Sequence, residues 1–213
     1  MKNQPLYIKY RPQTFDELVG QDKAIKRLQV ILRNGAGGRA FWISGKSGTG
    51  KTTLAFIIAN QLSDNVVELD ASELSAARVR ELEANSRYSS MFGGHCYVIN
   101  EAHGIRKDAA RQFLVWLERL NSETLVVFTT TKEQEDKLFE DDLDAPPLIS
   151  RCQKIELTSQ GISKAFAQRA QEIASAENMD GQPIAAYEKL AYKHKCNFRA
   201  MLQDIEAGVM MEE

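Results

Sequence analysis

The sequence is poor in the features that mark secreted, zinc-binding and membrane proteins. Its 213 residues include only three cysteines, Cys96, Cys152 and Cys196, which lie far apart and never in CxxC spacing. That pattern argues against a zinc site and against a disulfide framework. No apolar run approaches the ~20 residues that cross a bilayer, and residues 1–15 lack the apolar core of a secretory signal. These absences predict a cytoplasmic protein with no membrane association.

The chain also has little net charge, −2 at neutral pH, but this charge is unevenly distributed. The stretch 132–147, KEQEDKLFEDDLDAPP, holds seven acids and two lysines, so it carries −5 and the rest of the chain +3. We interpret this stretch as a solvated connection that would repel DNA if it lay near a bound duplex. The positive remainder is compatible with a DNA-binding face, but the count does not demonstrate one.

Short apolar runs alternate with helical patterns over the first three quarters of the chain. Strict alternation of strand and helix indicates a parallel sheet covered by helices on both faces. From residue 158 only helical periods follow, so the sequence predicts an α/β domain at 1–157 and a small all-helical domain at 158–213. The predicted strands are 40–44, 66–70, 96–100, 124–130 and 153–157, and the predicted helices are 51–62, 75–86, 108–120, 163–177, 183–195 and 198–210.

The motif GKSGTGKTT at 45–53 fits the pattern GxxxxGK[ST], follows a predicted strand and opens a predicted helix. Glycines let backbone N–H groups turn inward around phosphate oxygens, and the helix N-terminus adds a positive field. Lys51 would contact the outer phosphates, and the hydroxyl of Thr52 would bind Mg²⁺. The predicted nucleotide-binding residues are Gly45, Lys46, Ser47, Gly48, Thr49, Gly50, Lys51, Thr52 and Thr53.

Four further stretches give the sequence a family resemblance. They are IKYRPQTFDELVGQDKAIKRLQ (8–29), VVELDASE (66–73), ISRC (149–152) and NFRAMLQDIE (197–206). Together with the P-loop, and over nearly the whole chain, they resemble the clamp-loader branch of the AAA+ ATPases, meaning replication factor C small subunits and the bacterial gamma/tau subunit. The resemblance implies a P-loop NTPase fold with a helical lid, and ATP and Mg²⁺ as ligands. It also implies DNA, with primer–template favoured, and a sliding clamp or polymerase-associated subunits as partners.

The resemblance also implies roles for single residues. Arg151 in ISRC would be an arginine finger that reaches a neighbouring subunit's nucleotide, and Arg199 would contact nucleotide from the lid as sensor 2. Thr131, or alternatively Thr130, would be sensor 1, which positions the attacking water. A surface salt bridge is the alternative for each arginine, but the motifs in register favour the catalytic roles. The residues implied for the adenine pocket are Ile8, Val19 and Gly20.

The stretch CYVINEAH at 96–103 occupies the position of the Walker B motif. Glu101 stands where the family keeps the base that activates water, and Asn100 replaces the aspartate that holds the magnesium shell. An amide oxygen can still accept a hydrogen bond from Thr52, but it attracts a divalent cation less than a carboxylate does. We therefore expect weaker magnesium binding and slower turnover, with nucleotide binding retained. The alternative is that Asn100 is an adapted variant with normal activity.

The resulting hypothesis is a clamp-loader-like ATPase of DNA replication or repair that forms homo- or hetero-oligomers through Arg151. One rival is a regulatory or scaffold subunit that binds nucleotide and hydrolyses little of it. A second is another DNA-linked AAA+ protein, such as a helicase loader or a branch-migration motor. Two family features are missing from the sequence: the C-terminal collar domain and the four-cysteine zinc module of the gamma/tau type.

Overall fold

A computed structural model describes residues 4–63, 65–88, 94–131 and 145–211. All five predicted strands are confirmed to within one residue at each end. They are β1 (Arg39–Ser44), β2 (Val66–Asp70), β3 (His95–Asn100), β4 (Thr124–Thr130) and β5 (Gln153–Glu156). The helices are α1 (Leu6–Lys9), α2 (Asp22–Leu32), α3 (Lys51–Ala59), α4 (Ala76–Asn85), α5 (Lys107–Leu117), α6 (Ala145–Ser150), α7 (Ser163–Ala176), α8 (Ile184–Lys193) and α9 (Phe198–Glu206).

The strands form one sheet in the order β2-β3-β4-β1-β5, and every pair is parallel. β4 lies at the centre, and all seven of its residues are buried, as its two-faced apolar pattern requires. Because the strands are parallel, their carboxyl ends all lie at the same end of the sheet. The predicted α/β class and the five-stranded parallel sheet are thereby confirmed.

Alternate side chains of each strand feed two apolar layers, one on each face of the sheet. On one face Trp42 and Phe128 pack with Phe113 of α5 and with residues of α4. On the other face Phe41 and Ile43 pack with the apolar residues of α2 and α3. The helix that follows the P-loop is thus fixed against the sheet by a fully buried face.

A third apolar cluster joins α7, α8 and α9 around Phe166, Tyr187 and Met201. Leu6 of α1 packs into the same cluster, so the start of the chain lies against the helices near its end. The division into domains at 157/158 stays a prediction. None of the helices in the described part of the chain is long and apolar enough to cross a bilayer.

Three helices were not predicted: α1, α2 and α6. In α6 the sequence reads APPLIS, and its prolines stand in the first turn, where backbone N–H groups have no partner within a helix. The acidic stretch interpreted as a connection therefore ends in a helix, and that interpretation is wrong for 145–147. Its remaining part, 132–144, lies outside the described residues.

Candidate functional site

The P-loop connects the carboxyl end of β1 to the first turn of α3. Gly50 has φ 98°, a left-handed conformation that a side chain would strain, and it turns the chain into the helix. The buried Lys51 donates from Nζ to the carbonyl oxygen of Lys46 over 3.0 Å, and Thr49 Oγ1 donates to the same oxygen over 2.7 Å. These bonds fold the loop over the helix N-terminus, where free backbone N–H groups favour an anion.

Side chains from three adjacent strands, β2, β3 and β4, meet near the carboxyl ends of the strands beside Thr52. Asn100 Oδ1 accepts hydrogen bonds from Thr52 Oγ1, at 3.2 Å, and from Thr129 Oγ1, at 2.8 Å. Asn100 Nδ2 donates to Glu68 Oε1 at 2.6 Å. A carboxylate only accepts hydrogen bonds, so the contact with Glu68 fixes the amide with its oxygen toward Thr52.

This arrangement fits a magnesium ion next to the P-loop. Mg²⁺ takes oxygen ligands and keeps several waters, so it needs few protein groups. The Thr52 hydroxyl and the Asn100 amide oxygen are both oxygen atoms, and they lie on the same side of the P-loop helix. The residues that would hold the ion are therefore the two predicted from the sequence.

Glu101 directly follows β3 in a left-handed conformation, with φ 51°. Its side chain is 51% exposed, and Oε2 lies 3.5 Å from His103 Nδ1. The same His103 nitrogen lies 3.3 Å from the hydroxyl of Thr130, at the end of β4. Thr129 lies on the face of β4 toward α3, and Thr130 lies on the other face. Thr131 lies just beyond the end of β4, so the choice between it and Thr130 as sensor 1 stays a prediction.

A pocket with aromatic walls lies beside the P-loop. Val19 lines it, but the neighbouring Ile8 and Gly20 are not among the described lining residues. Ile8 is 43% exposed, and a Cβ on Gly20 would lie 3.0 Å from Ile162. The lining residues are Tyr7, Tyr10, Arg11, Pro12, Glu17, Leu18, Val19, Gly48, Thr49, Gly50, Thr53, Phe166, Arg169, Phe198, Arg199 and Leu202.

The first turn of α9 closes onto the tip of the P-loop. The Phe198 N–H donates to the Gly48 carbonyl oxygen over 3.1 Å. Asn197 caps α9 by accepting from the Ala200 N–H, and its side chain occupies the space that a Cβ on Gly48 would need. The Arg199 guanidinium lies 5.3 Å from the centre of the Tyr7 ring, at the wall of the pocket. The lid therefore places a cation beside the loop that precedes α3.

Arg151 lies at the opposite end of the sheet, near the amino end of the strands. It lies between α6 and β5, and its Nε donates to Glu118 Oε1 over 3.0 Å. Its Nη1 donates to the Pro147 carbonyl oxygen over 2.9 Å. The structure does not bring Arg151 to the P-loop of its own chain, which follows the other end of β1.

The cysteines contribute no reactive group to this site. Burial raises the pKa of Cys96 and that of Cys152 to about 12, so both are thiols at neutral pH. In the described ranges no three His, Cys, Asp or Glu side chains group together as metal ligands.

Three residues of this region were not predicted from the sequence: Glu68, Thr129 and Asn197. Thr129 meets Asn100 only because β3 pairs with β4 in the register that sets Ile99 opposite Phe128. Glu68 required the knowledge that β2 neighbours β3, and Asn197 required the docking of the lid.

The comparisons with known proteins agree with the fold. The model of the ATPase family associated with various cellular activities (AAA) matches residues 41–159, more than half of the chain. The chain is 26% identical to DNA polymerase III subunit tau of Bacillus subtilis, over 84% of this chain and 35% of that protein. It is also 26% identical to the replication factor C small subunit of Natronomonas pharaonis, over 95% of this chain and 62% of that protein.

Among solved structures, the RuvB Holliday junction branch migration motor of Thermotoga maritima has the same fold. Its TM-score is 0.68 at 24% identity, and the match covers 95% of this chain and 65% of that one. The chain thus spans from about a third to about two thirds of the length of these relatives. On the strength of the family match and the P-loop, the chain belongs to the AAA family of ATPases.

Proposed function

We propose that this chain is a clamp-loader-like ATPase, which binds ATP and Mg²⁺ and acts on DNA in replication or repair. The observation that carries the proposal is the closure of the lid onto the P-loop, from the Phe198 N–H to the Gly48 carbonyl. The lid thereby presents Arg199 at a pocket beside the phosphate-binding loop. Similarity to a replication factor C small subunit and to DNA polymerase III subunit tau supports the clamp-loader assignment.

In this proposal the P-loop amides and Lys51 hold the phosphates, and the base lies in the aromatic pocket against Val19. Thr52 and Asn100 hold the magnesium ion. The bound ion would supply positive charge against the negative charge that develops on the phosphates during phosphoryl transfer. The buried position of Lys51 keeps its charge close to the loop before any ligand arrives.

Hydrolysis in this proposal uses groups from two subunits. Glu101 accepts the proton of the attacking water, and Thr131 positions that water. Arg199 contacts the phosphates from the lid. Arg151 acts on a neighbouring subunit, because in its own chain it lies at the far end of the sheet. The neighbour is another copy of this chain or a homologous partner, and the wider partners are primer–template DNA and a sliding clamp or polymerase-associated subunits.

The test is complementation between two inactive variants. Lys51→Ala removes nucleotide binding and keeps the finger, while Arg151→Ala removes the finger and keeps nucleotide binding. We expect each variant alone to lose at least about 100-fold in ATP turnover, since a finger in trans contributes 10³–10⁵ in related GTPases. An equimolar mixture is expected to recover a measurable part of the wild-type rate.

The matched control is Arg119→Ala, which removes an exposed arginine next to Glu118 and outside the proposed machinery. It is expected to turn over ATP at the wild-type rate. A mixture that stays inactive, although Arg151→Ala binds ATP and both variants assemble, would contradict the finger in trans.

A second candidate function is a nucleotide-binding scaffold that hydrolyses little or no ATP. It is favoured by Asn100, which offers magnesium a neutral oxygen in place of a carboxylate. A scaffold would bind ATP at the wild-type P-loop and show no turnover in any of the mixtures. It would still donate Arg151 to a partner subunit, which is detected by stimulation of that partner's ATPase.

A further inference from the structure

We propose that Glu68 is a positioning residue that restores, through Asn100, the negative charge lost where an aspartate is replaced by an amide. The inference rests on the proposed function, since it concerns how the same site holds magnesium. Glu68 belongs to β2, one of the two edge strands of the sheet, and its side chain crosses to Asn100 on the adjacent strand β3.

The geometry orients the amide. Asn100 Nδ2 and Glu68 Oε1 are 2.6 Å apart, and hydrogen bonds to a charged acceptor are shorter and stronger than those between neutral groups. The opposite end of the amide, Oδ1, accepts from Thr52 and from Thr129. All four side chains therefore form one connected network, in which each donor meets an acceptor and the Asn100 oxygen faces the P-loop.

The network also changes the chemistry of the amide oxygen. A carboxylate that accepts from Nδ2 draws positive charge toward the nitrogen and leaves Oδ1 more negative. Carboxylates behind histidine ligands in metal sites act in the same way, and their removal typically lowers metal affinity 10–100-fold. The pair of Asn100 and Glu68 together carries one negative charge, as a lone aspartate would.

This arrangement makes a specific statement about the replacement Asn100→Asp. An aspartate at this position would place its second oxygen against the Glu68 carboxylate, where the amide nitrogen now stands. Two carboxylates at such a distance repel each other. Asn100→Asp alone therefore introduces repulsion between two carboxylates. Glu68→Gln removes this repulsion, because its amide can donate a hydrogen bond to the new aspartate.

The experiment measures magnesium dependence and stability in four proteins: wild type, Glu68→Gln, Asn100→Asp and the double variant. Binding of a fluorescent ATP analogue is titrated with Mg²⁺, and the urea midpoint is measured without nucleotide. Glu68→Gln is expected to raise the Mg²⁺ concentration for half-maximal binding about tenfold. The double variant is expected to return to within about threefold of the wild type. Asn100→Asp is expected to lower the urea midpoint, and the double variant to recover it.

The control Glu73→Gln removes the same charge from an exposed position just beyond β2 and outside the network. It is expected to leave both the Mg²⁺ requirement and the urea midpoint unchanged. If Glu68→Gln has the wild-type Mg²⁺ requirement, or if the effects at 68 and 100 are simply additive, the inference is wrong and the proposed function stands. If the wild type binds no nucleotide at all, the proposed function falls and takes the inference with it.

Discussion

Gly48 has almost no free space around its α-carbon. It adopts a left-handed conformation with φ 73°, and a Cβ added to it would lie 1.9 Å from Asn197 Oδ1. Gly35 has a similar conformation, φ 90°, but no atom lies within 4 Å of the position of its Cβ. An alanine at either position would strain the backbone, but only at position 48 would it also clash with a neighbour.

We expect Gly48→Ala to destabilise the protein more than Gly35→Ala does. The strain common to both costs about 1 kcal/mol, and the clash in Gly48→Ala adds about 2 kcal/mol because the lid must move away from the P-loop. Urea titrations of the two variants measure the difference in the free energy of unfolding. Equal destabilisation would mean that the lid does not rest on the P-loop in solution.

At the scale of single residues, the sequence predicts the site where spacing carries the chemistry. The positions of Lys51, Thr52 and Asn100 follow from one loop and one strand, and the structure joins the hydroxyl of Thr52 to Asn100. The partner of Asn100 could not be predicted in this way. Glu68 reaches it only because β2 pairs with β3, and strand order is a property of the folded sheet.

At the scale of elements, α1 is tied to the far end of α7. Glu177, just past that helix, accepts hydrogen bonds from Lys9 Nζ and from the Tyr10 hydroxyl. The bond from Lys9, and then that from Tyr10, hold the pKa of Glu177 below its usual value of 4.5. This tether anchors the segment that supplies Tyr7 and Tyr10 to the pocket wall.

The tether predicts an acid-dependent loss of stability. A carboxyl whose pKa is lowered on folding contributes stability above its usual pKa, and the contribution is lost as the pH falls through the folded value. Glu177→Gln is therefore expected to unfold at a lower urea concentration than the wild type at pH 7. The difference between the two midpoints is expected to shrink below pH 4.5. Urea midpoints against pH measure it, and Glu172→Gln on α7 controls for the loss of one charge.

The elements that sequence patterns miss are those with short or unusual sequences. α1 has four residues, too few for a helical period, and its position depends on packing against the lid cluster. α6 carries two prolines, which usually indicate a turn. The strands were predicted well because buried parallel strands are continuous apolar runs with turn residues at each end.

At the scale of the whole molecule, the P-loop lies at the carboxyl end of the strands and Arg151 lies near their amino end. If the nucleotide binds at one end of the sheet and Arg151 at the other end reaches a neighbour's nucleotide, the subunits associate head to tail. Such heterologous contacts build rings when the rotation closes and filaments when it does not. The proposed trans arrangement therefore predicts an assembly in which each interface contains one nucleotide.

The response of ATP turnover to different DNA structures would separate the clamp-loader proposal from a branch-migration role. We expect primer–template DNA to raise ATP turnover more than four-way DNA does, because the similar curated proteins include replication factor C and polymerase subunits. Turnover is compared at equal nucleotide concentrations of the two DNAs, with blunt duplex as the control. A stronger response to the four-way junction would favour the function of the RuvB-like structural neighbours.

In the free chain the proposed finger, Arg151, forms an ion pair with Glu118. In the proposed interface, Arg151 would exchange this carboxylate partner for the phosphates of a neighbour's nucleotide. A triphosphate carries more negative charge than a diphosphate and competes better with Glu118. The stability of the interface would then depend on the neighbour's nucleotide. The interface would form when the neighbour holds ATP and weaken once the outermost phosphate has left.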